Sequence, residues 1–356
     1  MSPVREMKVG KRGLRVSPDS VTIGNMKLLL WIFLLVVAWS PAVLAEPGYE
    51  YFVVGNTDDV KTEARGLVVM QGGGTDVDIN YQRMGEFAGG GDFVVLRASG
   101  ADGYNQYIFD LCGCDSVETI VFQNRDAAYD VFVVEKIRNA EALFIAGGDQ
   151  SRYVRFWKGT PVEDAIHAVA AKPAPIGGTS AGMAILGEFA YSAMSADSLT
   201  SAHALANPYH VDLTLEADLL SIAGMENIIT DQHLIERDRI GRTVALLARL
   251  VFDEITPTAR AIAADRETAV HIDPSNGNVE IFSVEDHGTP NVYFMRTMKN
   301  AGVCEEGKPL SIEDVETYRA TPGNTFNLKT WKGEGGVSYT LSVKEGVLQS
   351  SRQEIY

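Results

Sequence analysis

Cysteine is scarce, with three residues at positions 112, 114 and 304 of a 356-residue chain. That count excludes a disulfide-dense scaffold, and Cys112-Gly113-Cys114 with a distant Cys304 has no zinc-ligand spacing, so no metal site is expected. An exported chain with three thiols can close one disulfide. A bridge from one of the close pair to Cys304, or three unpaired thiols, both fit the sequence. Basic residues are also short. Lys and Arg number 31 against 47 Asp and Glu, a net charge of −16, which repels phosphate backbones and excludes a nucleic-acid partner. The surface would accept a cationic substrate, and it would equally serve plain solubility.

Long hydrophobic runs are missing as well. The apolar stretch Leu28 to Trp39 has 12 residues, short of the roughly 20 that a membrane span needs. Lys27 precedes it and small residues from Pro41 to Ala45 follow, the layout of a signal peptide cleaved after Ala45. Residues 1–45 are therefore read as a leader, with Met26 as a candidate true start and the stretch before it a mis-annotated upstream segment. Secretion or periplasmic export follows as an expectation, without a stable membrane anchor after cleavage. Losing residues 1–45 removes six basic and two acidic groups and takes the net charge to −20.

What is present is enough apolar content for a large core, 46% hydrophobic against 22% charged. From Leu67 onward, short continuous apolar runs (Leu67 to Met70, Phe93 to Leu96, Thr119 to Phe122, Leu143 to Ala146) alternate with amphipathic stretches (Val77 to Ala88, Asn105 to Leu111, Ala127 to Asn139). Runs without alternation read as strands buried on both faces, and their alternation with helices predicts an α/β fold with a doubly wound, mostly parallel sheet. A helix is expected after Ser180, and another from Arg239 to Phe252. After Ala259 the pattern turns to strands. The domain expected over 46–300 is followed by a small C-terminal β extension over 301–356.

Gly178-Thr179-Ser180-Ala181-Gly182 fits a G-x-S-x-G elbow, in which small neighbours let a strained turn expose a serine oxygen. Ser180 is the candidate nucleophile, and the Ala181 N–H faces a developing oxyanion. Asp231-Gln232-His233 follows the strand Ile228 to Thr230, at the strand end where open α/β sheets carry their sites, so His233 is the candidate general base. Arg237, Arg239 and Arg242 crowd a helix start, where cations oppose the macrodipole. They indicate an anionic ligand, or pairing with Glu236 and Asp238. Gly147-Gly148-Asp149-Gln150 places a second N–H donor at Gly148 and a substrate-facing Gln150, with Asp149 as an N-cap. Gly72-Gly73-Gly74 lacks both the Walker and the G-x-G-x-x-G frames, which rejects nucleotide binding there.

With these motifs in this order, the chain resembles the cyanophycinase and aspartyl dipeptidase family of serine peptidases, which has a class I glutamine amidotransferase-like fold. The matching residues are Gly147 to Gln150, Gly177 to Gly182, and Asp231-Gln232-His233 with the arginines at 237, 239 and 242, within a span from Leu67 to Ile272. The resemblance implies a cofactor-free, dimeric hydrolase in which Ser180 attacks and His233 takes its proton. Gln150, Asp231, Gln232 and the three arginines would hold an aspartyl carboxylate. Chain order favours Asp197 as third triad member, with Asp265 and Glu267 as competitors. The corresponding family stretch usually reads Asp-Glu-x-Thr-Ala, whereas this chain has Asp265-Arg266-Glu267-Thr268-Ala269. The expected activity is hydrolysis of β-Asp-Arg or related aspartyl peptides. An α-aspartyl dipeptidase and a non-catalytic secreted binding protein are the rivals.

Overall fold

A computed structural model describes residues 47–195, 199–284 and 290–356. The leader expected over 1–45 and Asp197 lie outside the described residues. The first sheet is built on five parallel strands in the order β4 (Ser116–Phe122), β3 (Asp92–Arg97), β5 (Ala142–Ile145), β6 (Pro175–Thr179) and β2 (Leu67–Gln71). Every residue of β2, β4, β5 and β6 is buried, which is why these segments read as continuous apolar runs. Side-chain alternation divides the strands between two cores. Leu67, Val69, Phe93 and Val95 face α1 (Ile79–Phe87) and α2 (Asn105–Cys112), while Val68, Met70, Val94 and Leu96 face α3 (Val131–Asn139), α4 (Gln150–Trp157) and α5 (Pro161–Ala171). The α/β class and its doubly wound parallel centre are thus as expected.

Antiparallel strands border that centre. β1 (Tyr49–Gly55) lies on β4, while β11 (Thr268–Ile272), β12 (Asn278–Ser283), β15 (Thr325–Asn327) and β16 (Lys332–Glu334) continue beyond β2. A second sheet holds the remaining strands in the order β18 (Val347–Ser350), β17 (Val337–Lys344), β14 (Ile312–Ala320), β13 (Val292–Thr297), β10 (Ala259–Ala264), β9 (Ile228–Gln232), β7 (Phe189–Tyr191) and β8 (Leu215–Ala217). One of its faces is covered by α6 (Ser201–Ala206) and α7 (Ile240–Phe252). Its other face shares a core with the first sheet through Ile228, Ile262 and Phe294. The serine motif therefore leaves the first sheet at β6, and the histidine motif leaves the second at β9.

Three features differ from the sequence reading. After Ser180 the chain makes a single 3₁₀ turn, Met183–Ile185, instead of a helix. Met183, Ala184, Ile185 and Leu186 are all buried, so this stretch has no solvent-facing side and crosses directly into β7. Cys112 and Cys114 are bonded to each other, and Cys304 is a buried free thiol. No bridge to Cys304 forms, because the close pair packs on a face of the first sheet and Cys304 sits in the core of the second.

The third difference concerns 301–356, which is β but is no appendage. Its strands complete both sheets, β14 on β13 and β15 on β12. β13 is buried along almost its whole length and needs a neighbour at each edge. A chain ending at Asn300 should consequently be insoluble or lose its cooperative unfolding transition. An independent appendage would leave the melt of the remaining chain unchanged, and a thermal scan of the truncated protein separates the two.

Candidate active site

Ser180 sits just past the end of β6 with φ of 51°, a left-handed backbone that a non-glycine residue adopts only when its surroundings impose it. Its N–H donates to the Gln71 carbonyl at 3.0 Å, and its carbonyl accepts from Ala184 N at 3.0 Å. Glycine is required on both sides of it. A Cβ on Gly182 would lie 1.9 Å from the Ile145 carbonyl oxygen, and one on Gly178 would lie 2.7 Å from the Gly182 carbonyl carbon. The turn is thus wedged against β5, which leaves the serine hydroxyl as its projecting group.

His233 follows β9, also left-handed at φ of 50°. Its N–H donates to the Gly72 carbonyl at 3.0 Å. Its Nε2 lies 3.0 Å from Ser180 Oγ, and its Nδ1 lies 2.7 Å from Glu236 Oε2. A carboxylate only accepts, so Nδ1 carries the proton and Nε2 presents its lone pair to the serine hydroxyl. Burial pushes His233 below its usual range, against the hydrogen bond to Glu236, which pulls it up; Arg237 and Arg239 add to the downward push. The hydrogen bond from His233 holds Glu236 below the ordinary carboxylate range, assisted by Arg266 and Arg237. Near neutral pH the pair is a neutral imidazole beside a charged carboxylate, the states a general base requires.

Among the described residues the carboxylate at His233 Nδ1 is thus Glu236, expected from the sequence only as a partner for the arginines. Asp265 accepts from Ile235 N at 3.0 Å and from Asn291 Nδ2 at 3.2 Å, and Glu267 accepts from Thr75 Oγ1 at 2.8 Å. The spacing His-x-x-Glu across a turn was the signal available.

Gly147 and Gly148 run beside Ser180. A Cβ on Gly147 would stand 3.4 Å from Ser180 Cβ, and Gly148 has φ of 144°. No described residue hydrogen-bonds the N–H of Gly148 or of Ala181, which leaves both as donors for an oxyanion. No α-helix follows directly behind Ala181, whereas Gly148 directly precedes Asp149 at the start of α4. Asp149 caps α4 as expected, accepting from Ser151 N at 2.9 Å. Gln150 is buried, with its Nε2 3.4 Å from the Tyr191 carbonyl.

Among the residues expected in the pocket, Asp231 and Arg242 are buried and paired with each other. They are 1% and 0% exposed, paired through Arg242 Nε to Asp231 Oδ2 at 3.1 Å and through Nη2 to Oδ1. Thr243 Oγ1 donates to the same carboxylate at 2.8 Å, and the guanidinium stacks 4.3 Å from the Tyr191 ring centroid. Arg239 is also buried, donating to Gln232 O at 2.8 Å and to its Oε1 at 2.5 Å, and burial lowers it to about 10, still cationic at neutral pH. Arg237 is exposed and forms no ion pair among the described residues, so the pairing with Glu236 and Asp238 weighed from the sequence is not made.

Gly73, at φ of 96°, has no Cβ; one would fall 2.2 Å from His233 Nε2, so the imidazole rests on bare backbone.

The chain resembles known proteins. The model of Peptidase family S51 matches residues 104–209. A cyanophycinase of Synechococcus elongatus is 24% identical over 280 residues, 75% of this chain and 80% of that protein. One of Geminocystis herdmanii is 24% identical over 267 residues, 72% of this chain and 90% of that protein. A crystal structure of a peptidase from an acI-B1 actinobacterium superposes with a TM-score of 0.49 at 14% identity, covering 74% of this chain and 98% of the other.

Two substitutions test this geometry. Gly73→Ala should displace the imidazole and abolish modification of Ser180 by a serine-directed phosphonate, while the protein still folds cooperatively. Asp231→Asn should cost about 3–5 kcal/mol in urea denaturation, because it leaves Arg242 buried without its counter-charge. An unchanged denaturation midpoint with weakened substrate binding would instead put Asp231 in the pocket.

Proposed function

For this peptidase hydrolase, a relative of family S51, we propose the cleavage of aspartyl peptides, with β-Asp-Arg units of the cyanophycin type as the leading substrate. The observation that carries the reading is the relay Ser180 Oγ to His233 Nε2 at 3.0 Å and His233 Nδ1 to Glu236 Oε2 at 2.7 Å. In the proposed reaction His233 takes the hydroxyl proton as Ser180 Oγ attacks the aspartyl carbonyl. The N–H groups of Gly148 and Ala181 receive the oxyanion. His233 then returns the proton to the leaving amine, and water activated by the same imidazole hydrolyses the acyl-enzyme.

Selection for an aspartyl residue is assigned to the exposed Arg237, with the bonded pair Arg239 and Gln232 and the buried Gln150 as further polar contacts. A charge-assisted hydrogen bond to a carboxylate contributes roughly 1.5–3 kcal/mol. The enzyme is further proposed to be exported, with a mature chain beginning at Glu46, and to work as a homodimer, by likeness to the family.

Release of arginine from β-Asp-Arg, measured beside hydrolysis of α-Asp-X dipeptides, tests the substrate. Ser180→Ala should abolish both activities, and faster turnover of the α-linked peptides would favour a dipeptidase. A wild-type protein that neither turns over these peptides nor takes up the phosphonate would overturn the serine-peptidase reading.

The acid limb of kcat/KM should lie below the usual histidine range, because burial favours the neutral imidazole that the reaction needs. Glu236→Gln should lower the plateau by on the order of 10³ to 10⁴. It should also move that limb to still lower pH, since Glu236 pulls His233 upward.

A further inference from the structure

Arg266 occupies the position at which this chain departs from the Asp-Glu-x-Thr-Ala pattern, and its surroundings give it a use. Its Nη2 lies 2.7 Å from Glu267 Oε1, and its Nη1 lies 3.9 Å from Glu236 Oε1. The two oxygens of Glu236 are thus divided, Oε2 to His233 and Oε1 toward Arg266. Glu267 is fastened in turn by Thr75, from Oγ1 at 2.8 Å and from N at 3.3 Å, and its own N–H donates to Gly73 O at 2.6 Å. The arginine lies across Gly74, where a Cβ would stand 3.1 Å from its Nε and 3.3 Å from its Cβ. One triglycine turn therefore backs the imidazole at Gly73 and carries the arginine at Gly74.

We propose that Arg266 is a positioning residue of this triad: clamped to Glu267, it fixes the Glu236 carboxylate that orients His233. The inference rests on the serine-peptidase reading above. Glu236 needs such a clamp because its side chain is 38% exposed. A glutamate with one contact pays rotamer entropy and competes with water for that contact, whereas a second contact restricts the rotamers that point away from the histidine. Charge argues against a direct role for Arg266 in binding an anionic substrate. Between Glu236 and Glu267 it forms a group of net charge −1, so it offers no surplus positive charge, in contrast to Arg237.

The test combines steady-state kinetics on the aspartyl peptide with the rate of Ser180 labelling by a phosphonate, in full-length protein whose thermal melt confirms folding. Arg266→Ala should lower both kcat and the labelling rate about tenfold with KM unchanged. Glu267→Gln, which releases the clamp, should act in the same direction. In a Glu236→Gln background, Arg266→Ala should have no further effect, because the residue acts through Glu236. A raised KM with unaltered kcat, or losses that simply add in the double variant, would overturn the proposal. If the wild-type protein is labelled and Arg266→Ala is labelled equally fast, the role of Arg266 falls alone. A wild-type protein left unlabelled sinks the serine-peptidase reading together with it.

Discussion

The contact between Ser180 Oγ and His233 Nε2 spans two sheets, and its 3.0 Å length depends on how those sheets are registered. A single strand end does the registering. The Gln71 carbonyl, last in β2, accepts from Ser180 N, and the next carbonyl, Gly72, accepts from His233 N, both at 3.0 Å. Ser180 and His233 both have left-handed backbones, a conformation that costs of order 1–3 kcal/mol each and persists only when the surroundings over-determine it. Consecutive carbonyls of one chain supply that constraint, so serine and histidine are tied to a common ruler.

The ruler is itself held. Gln71 is fully buried, its Nε2 donating to Thr75 O at 2.9 Å and its Oε1 accepting from Val77 N at 3.1 Å and Asn80 Nδ2 at 2.7 Å. One side chain thereby closes the loop Gly72-Gly73-Gly74-Thr75 from inside. Three glycines in a row would otherwise be the least ordered segment of the site, since glycine loses the most conformational freedom on folding. Here the missing side chains are what admit the imidazole at Gly73 and the guanidinium at Gly74.

Those parts of the site that depend on local sterics were legible in the sequence. The elbow around Ser180 needs small residues within a few positions, and Asp231-Gln232-His233 needs only a strand end, so both could be read from spacing. The orienting carboxylate was not. Chain order pointed to Asp197, yet a carboxylate need only reach Nδ1, and Glu236 does so from three residues away across a turn. The burial of Asp231 and Arg242 was not legible either, because sequence shows charge but not depth. The helix expected after Ser180 failed for a related reason: an all-round apolar stretch suits a buried crossing as well as a buried helix. The tail from 301 reads as β from composition, but which sheet each strand joins is a long-range matter that no local pattern encodes.

Placing base and carboxylate on one turn changes what the site depends on. When a triad acid comes from a distant segment, its distance to the histidine is set by tertiary packing. At a separation of three residues that distance is set largely by the turn itself, here closed by Arg237 N to His233 O at 3.1 Å and Arg239 N to Leu234 O at 2.9 Å. The local solution leaves the acid half in solvent, where a charged hydrogen bond is weakened by competing water. Its charge must therefore be secured from outside the turn. Arg266 does this from outside the turn and Arg237 adds to it from within, at a second cost, since Arg237, with Arg239, also disfavours protonation of His233. For a base that must begin its cycle neutral, that bias acts in the useful direction, and Glu236 then stabilises the imidazolium once the proton has arrived.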